Sequence, residues 1–159
     1  MHPGLRMAVV AAVGLVSGAA ALGQGGHGPA PAPAVKWGPA PPFFAAGARF
    51  AVLQGDPSQA GVYTVRFELP AGYVIKPHFH PTDENVTVLS GSFVVGMGDS
   101  VDAAQGMVLG AGGFVVAPAQ AHHFAMARRK TVVQVHGVGP FVITYVNAAD
   151  DPRGVTATR

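Results

Sequence analysis

The sequence contains no cysteine. Disulfide staples, zinc–thiolate sites, a thiol nucleophile and a lipidated cysteine anchor are therefore excluded, and any metal must be held by histidine and carboxylate. Charge is scarce too: only 11% of the 159 residues are Asp, Glu, Lys or Arg, against about a quarter in an ordinary globular domain. The formal net charge is +2, too small a surplus for a basic nucleic-acid-binding surface, so no nucleic acid is expected as a partner. A phosphate-cradling glycine loop, a GxSxG elbow and a helical apolar stripe of useful length are all lacking.

What is present begins with an apolar, uncharged run at 7–22 (MAVVAAVGLVSGAAAL), shorter than the roughly 20 residues a bilayer-crossing helix needs. Small residues at 21 and 23 suit cleavage near Gly23–Gln24, so 1–23 reads as a secretory signal peptide. An uncleaved anchor is the competing reading. Only Arg6 precedes the run, so a twin-arginine signal is absent. The expected location is periplasmic or secreted, with no stable membrane span after cleavage. Residues 24–42 (QGGHGPAPAPAVKWGPAPP) mix Gly, Pro and Ala without apolar periodicity and read as a linker or arm. Residues 152–159 read as a tail.

The remaining stretch, 43–151, is long enough to bury a real core. Its apolar segments are short, β-branched or aromatic, and punctuated by Gly, Pro, Asn and Asp. VYTVRFEL at 62–69 alternates strictly, with Tyr63, Val65, Phe67 and Leu69 on one face and Thr64, Arg66 and Glu68 on the other. Further strands are expected at 50–53, 73–77, 86–89, 93–97, 107–109, 114–117, 124–127, 131–136 and 141–146, with one helical turn at most at 101–105. Many short strands at regular spacing predict an all-β sandwich or barrel.

The chemistry concentrates in the histidines, of which there are seven. His78 and His80 are two apart, so on a strand both imidazoles share one face, about 7 Å apart at Cα. Pro81-Thr82-Asp83 reads as a turn that returns Glu84 over the same patch. His122-His123 follows a proline-containing turn further on, and neighbours on a strand point to opposite sides. Two candidates for proton handling are less determined. His136 shares a face with Gln134, and acts in catalysis only if that face lines the interior. Tyr73 either donates into a pocket or packs in the barrel. Asp83 reads as turn chemistry, Met97, Met107 and Met126 as core filler, and Arg128-Arg129-Lys130 as a solvated tip.

The stretch from Gly72 to Gly91 resembles the first motif of the cupin superfamily in every fixed position: Gly72, five residues, His78-x-His80, three residues, Glu84, six residues, Gly91. The second motif is matched in part, by Gly112, Pro118 and His123, with Gln120 where glycine is expected and Ala127 where asparagine is expected. The surrounding wording is similar to small, exported, single-domain bacterial cupins. The resemblance implies a single-domain jelly-roll β-barrel with one divalent transition-metal ion, Fe, Mn, Zn, Cu and Ni not being distinguished. By position the ligands would be His78, His80, Glu84 and His123, or His122 if the turn around Gln120 is shifted. It implies a small-molecule pocket and leaves two functions open: a metal-dependent oxygenase, isomerase or lyase, and a non-catalytic metal- or ligand-binding module. A homodimer through edge strands is a family-based expectation.

Overall fold

The structure, a computed structural model, describes residues 35–154. The expected signal peptide, most of the expected arm and the last five residues lie outside them. The strands are β1 (Gly38–Pro39), β2 (Arg49–Gln54), β3 (Gly61–Leu69), β4 (Val74–Phe79), β5 (Glu84–Ser90), β6 (Phe93–Met97), β7 (Met107–Leu109), β8 (Phe114–Ala117), β9 (His123–Ala127), β10 (Thr131–Gly139) and β11 (Thr144–Tyr145), followed by a 3-10 turn at Ala148–Asp150. They form two antiparallel sheets, one in the order β1-β2-β3-β10-β5-β8 and the other β11-β4-β9-β6-β7. The two sheets pack face to face as a jelly-roll β-barrel. No α-helix occurs among the described residues.

Alternation decides which side chains fill the barrel. In β3, Tyr63, Val65, Phe67 and Leu69 are buried, while Thr64, Arg66 and Glu68 lie on the outer face. The neighbour β10 places Val133 opposite Phe67 and Val135 opposite Val65, so the two rows continue one apolar surface. On the outer face Arg66 Nε donates to Gln134 Oε1 at 3.1 Å, and Glu68 accepts from Arg49 at 3.1 Å.

The structure departs from the sequence reading in several places. The first sheet begins at Gly38, inside the stretch read as an arm: Gly38 pairs with Phe50, and the buried Phe44 ring sits 4.7 Å from Phe67. Residues 101–105 form a turn without a helix, in which Asp102 Oδ1 accepts from the Ala104 amide at 3.0 Å. Most of the expected strand at 141–146 has no ladder partner, although Phe141 and Ile143 are buried.

Between β5 and β6 the chain reverses at Gly91, whose φ of +93° is left-handed. A Cβ there would sit 2.5 Å from the Lys130 carbonyl oxygen. Gly91→Ala is therefore expected to destabilise the fold by about 2 kcal/mol or more, read as a lower urea midpoint at unchanged slope.

Candidate metal centre

His78 lies in β4, His80 one residue beyond its end, Glu84 at the start of β5, and His123 at the start of β9. β4 and β9 are neighbours in the five-stranded sheet and pair His78 with His123, whereas β5 belongs to the six-stranded sheet. The donors thus approach from both sheets. The β4–β9 register shifts: Ile75 faces Ala125 and His78 faces His123, so three steps on β4 match two on β9. That extra residue is a bulge, and it turns both Ile75 and His78 toward the interior. Pro77, which has no amide hydrogen to lose, lies within it.

His78, His80 and His123 are each at most 3% exposed. Their ring centroids are 4.2 Å (His78–His123), 5.0 Å (His78–His80) and 5.3 Å (His80–His123) apart. One nitrogen from each ring lies within 4.8 Å of the others, a grouping able to hold a metal ion. Each Nδ1 faces a main-chain carbonyl: Lys76 at 2.7 Å, Val142 at 2.7 Å and Ala121 at 2.9 Å. A carbonyl only accepts, so each Nδ1 carries the hydrogen and each Nε2 of a neutral ring keeps its lone pair. The Nε2 atoms of His80 and His123 are buried without a hydrogen-bond partner. Glu84 Oε2 lies 3.5 Å from the first and 3.7 Å from the second.

The electrostatics follow from crowding. Burial and the neighbouring imidazoles of His123 and His80 push His78 down to about 3, so its ring is neutral near pH 7. Burial opposes charge on Glu84 and on His80. The attraction between them outweighs it, holding the Glu84 carboxyl well below its usual range and raising His80.

The alternative ligand His122 points elsewhere: its Nδ1 meets Asp99 Oδ1 at 2.6 Å and its ring stacks 5.1 Å from Phe79. The turn before it lacks the expected glycine, yet Gln120 takes the left-handed conformation itself, with φ +62°. Its amide donates to the His80 carbonyl at 2.8 Å, tying the turn before His123 to the segment that carries His80.

His136 and Tyr73, the two proton-handling candidates, both lie away from the cluster. His136 is exposed beside a shallow groove with Thr82 and Asn85, because β10 gives its inner face to Val133 and Val135. Tyr73 is buried, and its hydroxyl donates to the Ala45 carbonyl at 2.6 Å. Two further contacts were not legible in the sequence: Phe141 stacks 5.4 Å from His80, and the Val142 carbonyl orients that ring. Both come from a stretch some 60 residues away whose only sequence signal is that it is apolar. A cavity of about 30 Å³, counted as space open to the centre of a water molecule, adjoins His78, Glu84 and His123.

A family model described as the ChrR cupin-like domain matches residues 31–142. The chain is similar to the solved structure of the polyketide cyclase RemF from Streptomyces resistomycificus, at 20% identity over 74% of this chain and 84% of that one, with a TM-score of 0.61. It is also similar to a putative acetylacetone dioxygenase from Methylibium petroleiphilum PM1, at 26% identity over 74% of this chain and 79% of that one, with a TM-score of 0.58. No curated protein matches. The family match runs through the first ten strands and takes in His78, His80, Glu84 and His123, so this chain belongs to the ChrR cupin-like domain family of the cupin superfamily.

Proposed function

We propose that His78, His80, Glu84 and His123 together hold one divalent transition-metal ion, and that the chain uses it as an oxygenase, isomerase or lyase on a small organic molecule. Spacing carries this reading. Oε2 of Glu84 is 3.5 and 3.7 Å from two buried, otherwise unpartnered nitrogens. Those gaps are long for direct hydrogen bonds. They fit two donors about 2.1 Å from a common ion, which stand roughly 3–4 Å apart.

Held by these three imidazoles and one carboxylate, an ion would supply Lewis acidity, or redox chemistry if the metal has it. The chain's own contribution is preorganisation. The carbonyls of Lys76, Val142 and Ala121 fix the three rings, and Glu84 brings a negative charge to the cluster. Similarity to a putative acetylacetone dioxygenase supports the oxygenase option. The second reading, a non-catalytic binding module, is favoured by one observation: among the described residues the only titratable side chains bordering the cavity are His78, Glu84 and His123, all proposed ligands. Export rests on the apolar run at 7–22 and belongs to the same proposal.

The test is elemental analysis of purified full-length chain after loading separately with Fe, Mn, Zn, Cu and Ni. About one ion per chain is expected for at least one metal. Background content with all five overturns the reading. Oxygen uptake by the iron- or manganese-loaded protein with small diketones then separates oxygenase from binder, and fractionation of the producing cells tests export.

A further inference from the structure

The wall of the cavity is divided in two. His78, Glu84 and His123 lie on it as the polar side chains, and the rest is hydrocarbon, contributed by Phe93, Val95, Ala125, Ile143 and other apolar residues of both sheets. Among the described residues no lysine, arginine, hydroxyl or amide side chain borders it. A substrate's hydroxyls or a second carboxylate would therefore be buried against hydrocarbon without a partner, which discriminates strongly against them. Size discriminates as well. About 30 Å³ of such space has room for roughly two or three waters, or a ligand of a few heavy atoms.

Beyond this wall the same sheet face stays apolar. Opposed residues on adjacent strands share a face, and Met107 pairs with the cavity-lining Val95 while Met97 pairs with His123. Both methionines lie on the inner side of their sheet, yet they are 58% and 59% exposed. They continue the face that carries Val95 and His123 with flexible thioethers, where a sugar- or phosphate-binding site would present donors. The sequence reading of these two as core filler does not hold for their exposure.

We infer that the site takes a short, uncharged, oxygen-bearing hydrocarbon such as a small ketone, with its oxygen toward the histidines and its carbon chain against Val95, Ala125 and Ile143, and that Ala125 sets the length accepted. This deepens the proposed function and rests on it only for the oxygen's position; the apolar pocket is a property of the chain without metal.

The experiment uses 2-butanone as probe, with butyrate and glycerol as anionic and hydroxylated counterparts of similar size. Methyl resonances of Val95, Ala125 and Ile143 are followed by NMR in the full chain, metal-free and zinc-loaded. Saturable shifts with 2-butanone are expected in both forms, at least tenfold tighter than with glycerol in either form and than with butyrate in the metal-free form, where a carboxylate would meet the charge of Glu84. Ala125→Leu should weaken 2-butanone at least tenfold while zinc content stays that of the parent. Should that variant misfold, Ala125→Val serves as the smaller obstruction, and Val95→Ala should shift preference toward 2-hexanone. Equal binding of glycerol, equal binding of butyrate in the metal-free form, or unaltered 2-butanone binding in the obstructed variants overturns the inference. Metal content and ketone binding are read separately: ketone selectivity in a chain that takes up none of the five metals would sink the metal reading alone, and metal uptake without ketone selectivity would sink this one alone.

Discussion

Alanine in place of His78, His80 or His123 is expected to bring metal content down from about one ion per chain to background, and to erase the stabilisation that metal confers on the parent. The size of that stabilisation follows from mass action. An ion present at a thousand times its dissociation constant stabilises the folded state by about 4 kcal/mol. For a domain of this length that is a rise in Tm of roughly 10–20 °C. The loss should be large in each variant, because each remaining ring is already fixed by its Nδ1 hydrogen bond and the donors cannot regroup around the ion. Glu84→Gln keeps the shape and one oxygen donor but removes the charge, so it should retain metal at least tenfold more weakly. Metal-free Tm should move far less in His80→Ala and His123→Ala, since each removes a buried, unpartnered nitrogen along with its packing. Calorimetry with and without zinc reads all of these. A His123→Ala variant that keeps the parent's zinc content and the parent's zinc-induced rise in Tm would exclude His123 as a ligand.

The fold was legible where side-chain pattern and backbone demand coincide. VYTVRFEL alternates without a break, and its inner face is buried residue for residue. The strands 93–97, 107–109 and 114–117 begin and end as expected, because glycine or polar residues bound each of them. Extended segments held by side-chain burial, with little or no ladder, were not legible. Residues 141–143 look like a strand in sequence, yet Phe141 and Ile143 are fixed by packing and only 144–145 pair. Nor does proline content separate an arm from an edge strand: Gly38–Pro39 pairs because edge positions tolerate a missing amide. In the candidate site, spacing brought His78, His80 and Glu84 into one reading, whereas the side taken by His122 and His123 depended on a turn with the wrong residue in it. That turn forms because glutamine adopts a conformation usually left to glycine. Strand parity alone could not assign His136 to either face of β10, and Tyr73 has its hydroxyl claimed by a carbonyl from a distant loop.

Without metal, the same cluster should make stability depend on pH with a maximum near pH 6.5. His78 is depressed from 6.5 to about 3 by burial and by its two neighbouring rings. Between those values the unfolded chain binds a proton there that the folded chain refuses, so stability falls as pH falls. Glu84 is also depressed, from 4.5, so below that point it adds a second loss of the same sign. His80 acts oppositely. It is raised by Glu84 despite its burial, so its contribution is complete below pH 6.5 and disappears as pH rises through its folded value. Between pH 6.5 and 4.5 only His78, of these three, contributes a slope, with an upper limit of about 1.4 kcal/mol per pH unit. Over the whole acid limb the loss should be on the order of a few kcal/mol. Urea unfolding of the chelator-treated protein at half-unit steps measures it. Replacing His78 with phenylalanine, similar in shape and without a proton to bind, should flatten the limb from pH 6.5 to 4.5 and leave the steeper fall beneath it. An unchanged limb in that variant would mean that the crowding of three imidazoles is relieved elsewhere in the chain, and would remove the electrostatic reason for an ion between them.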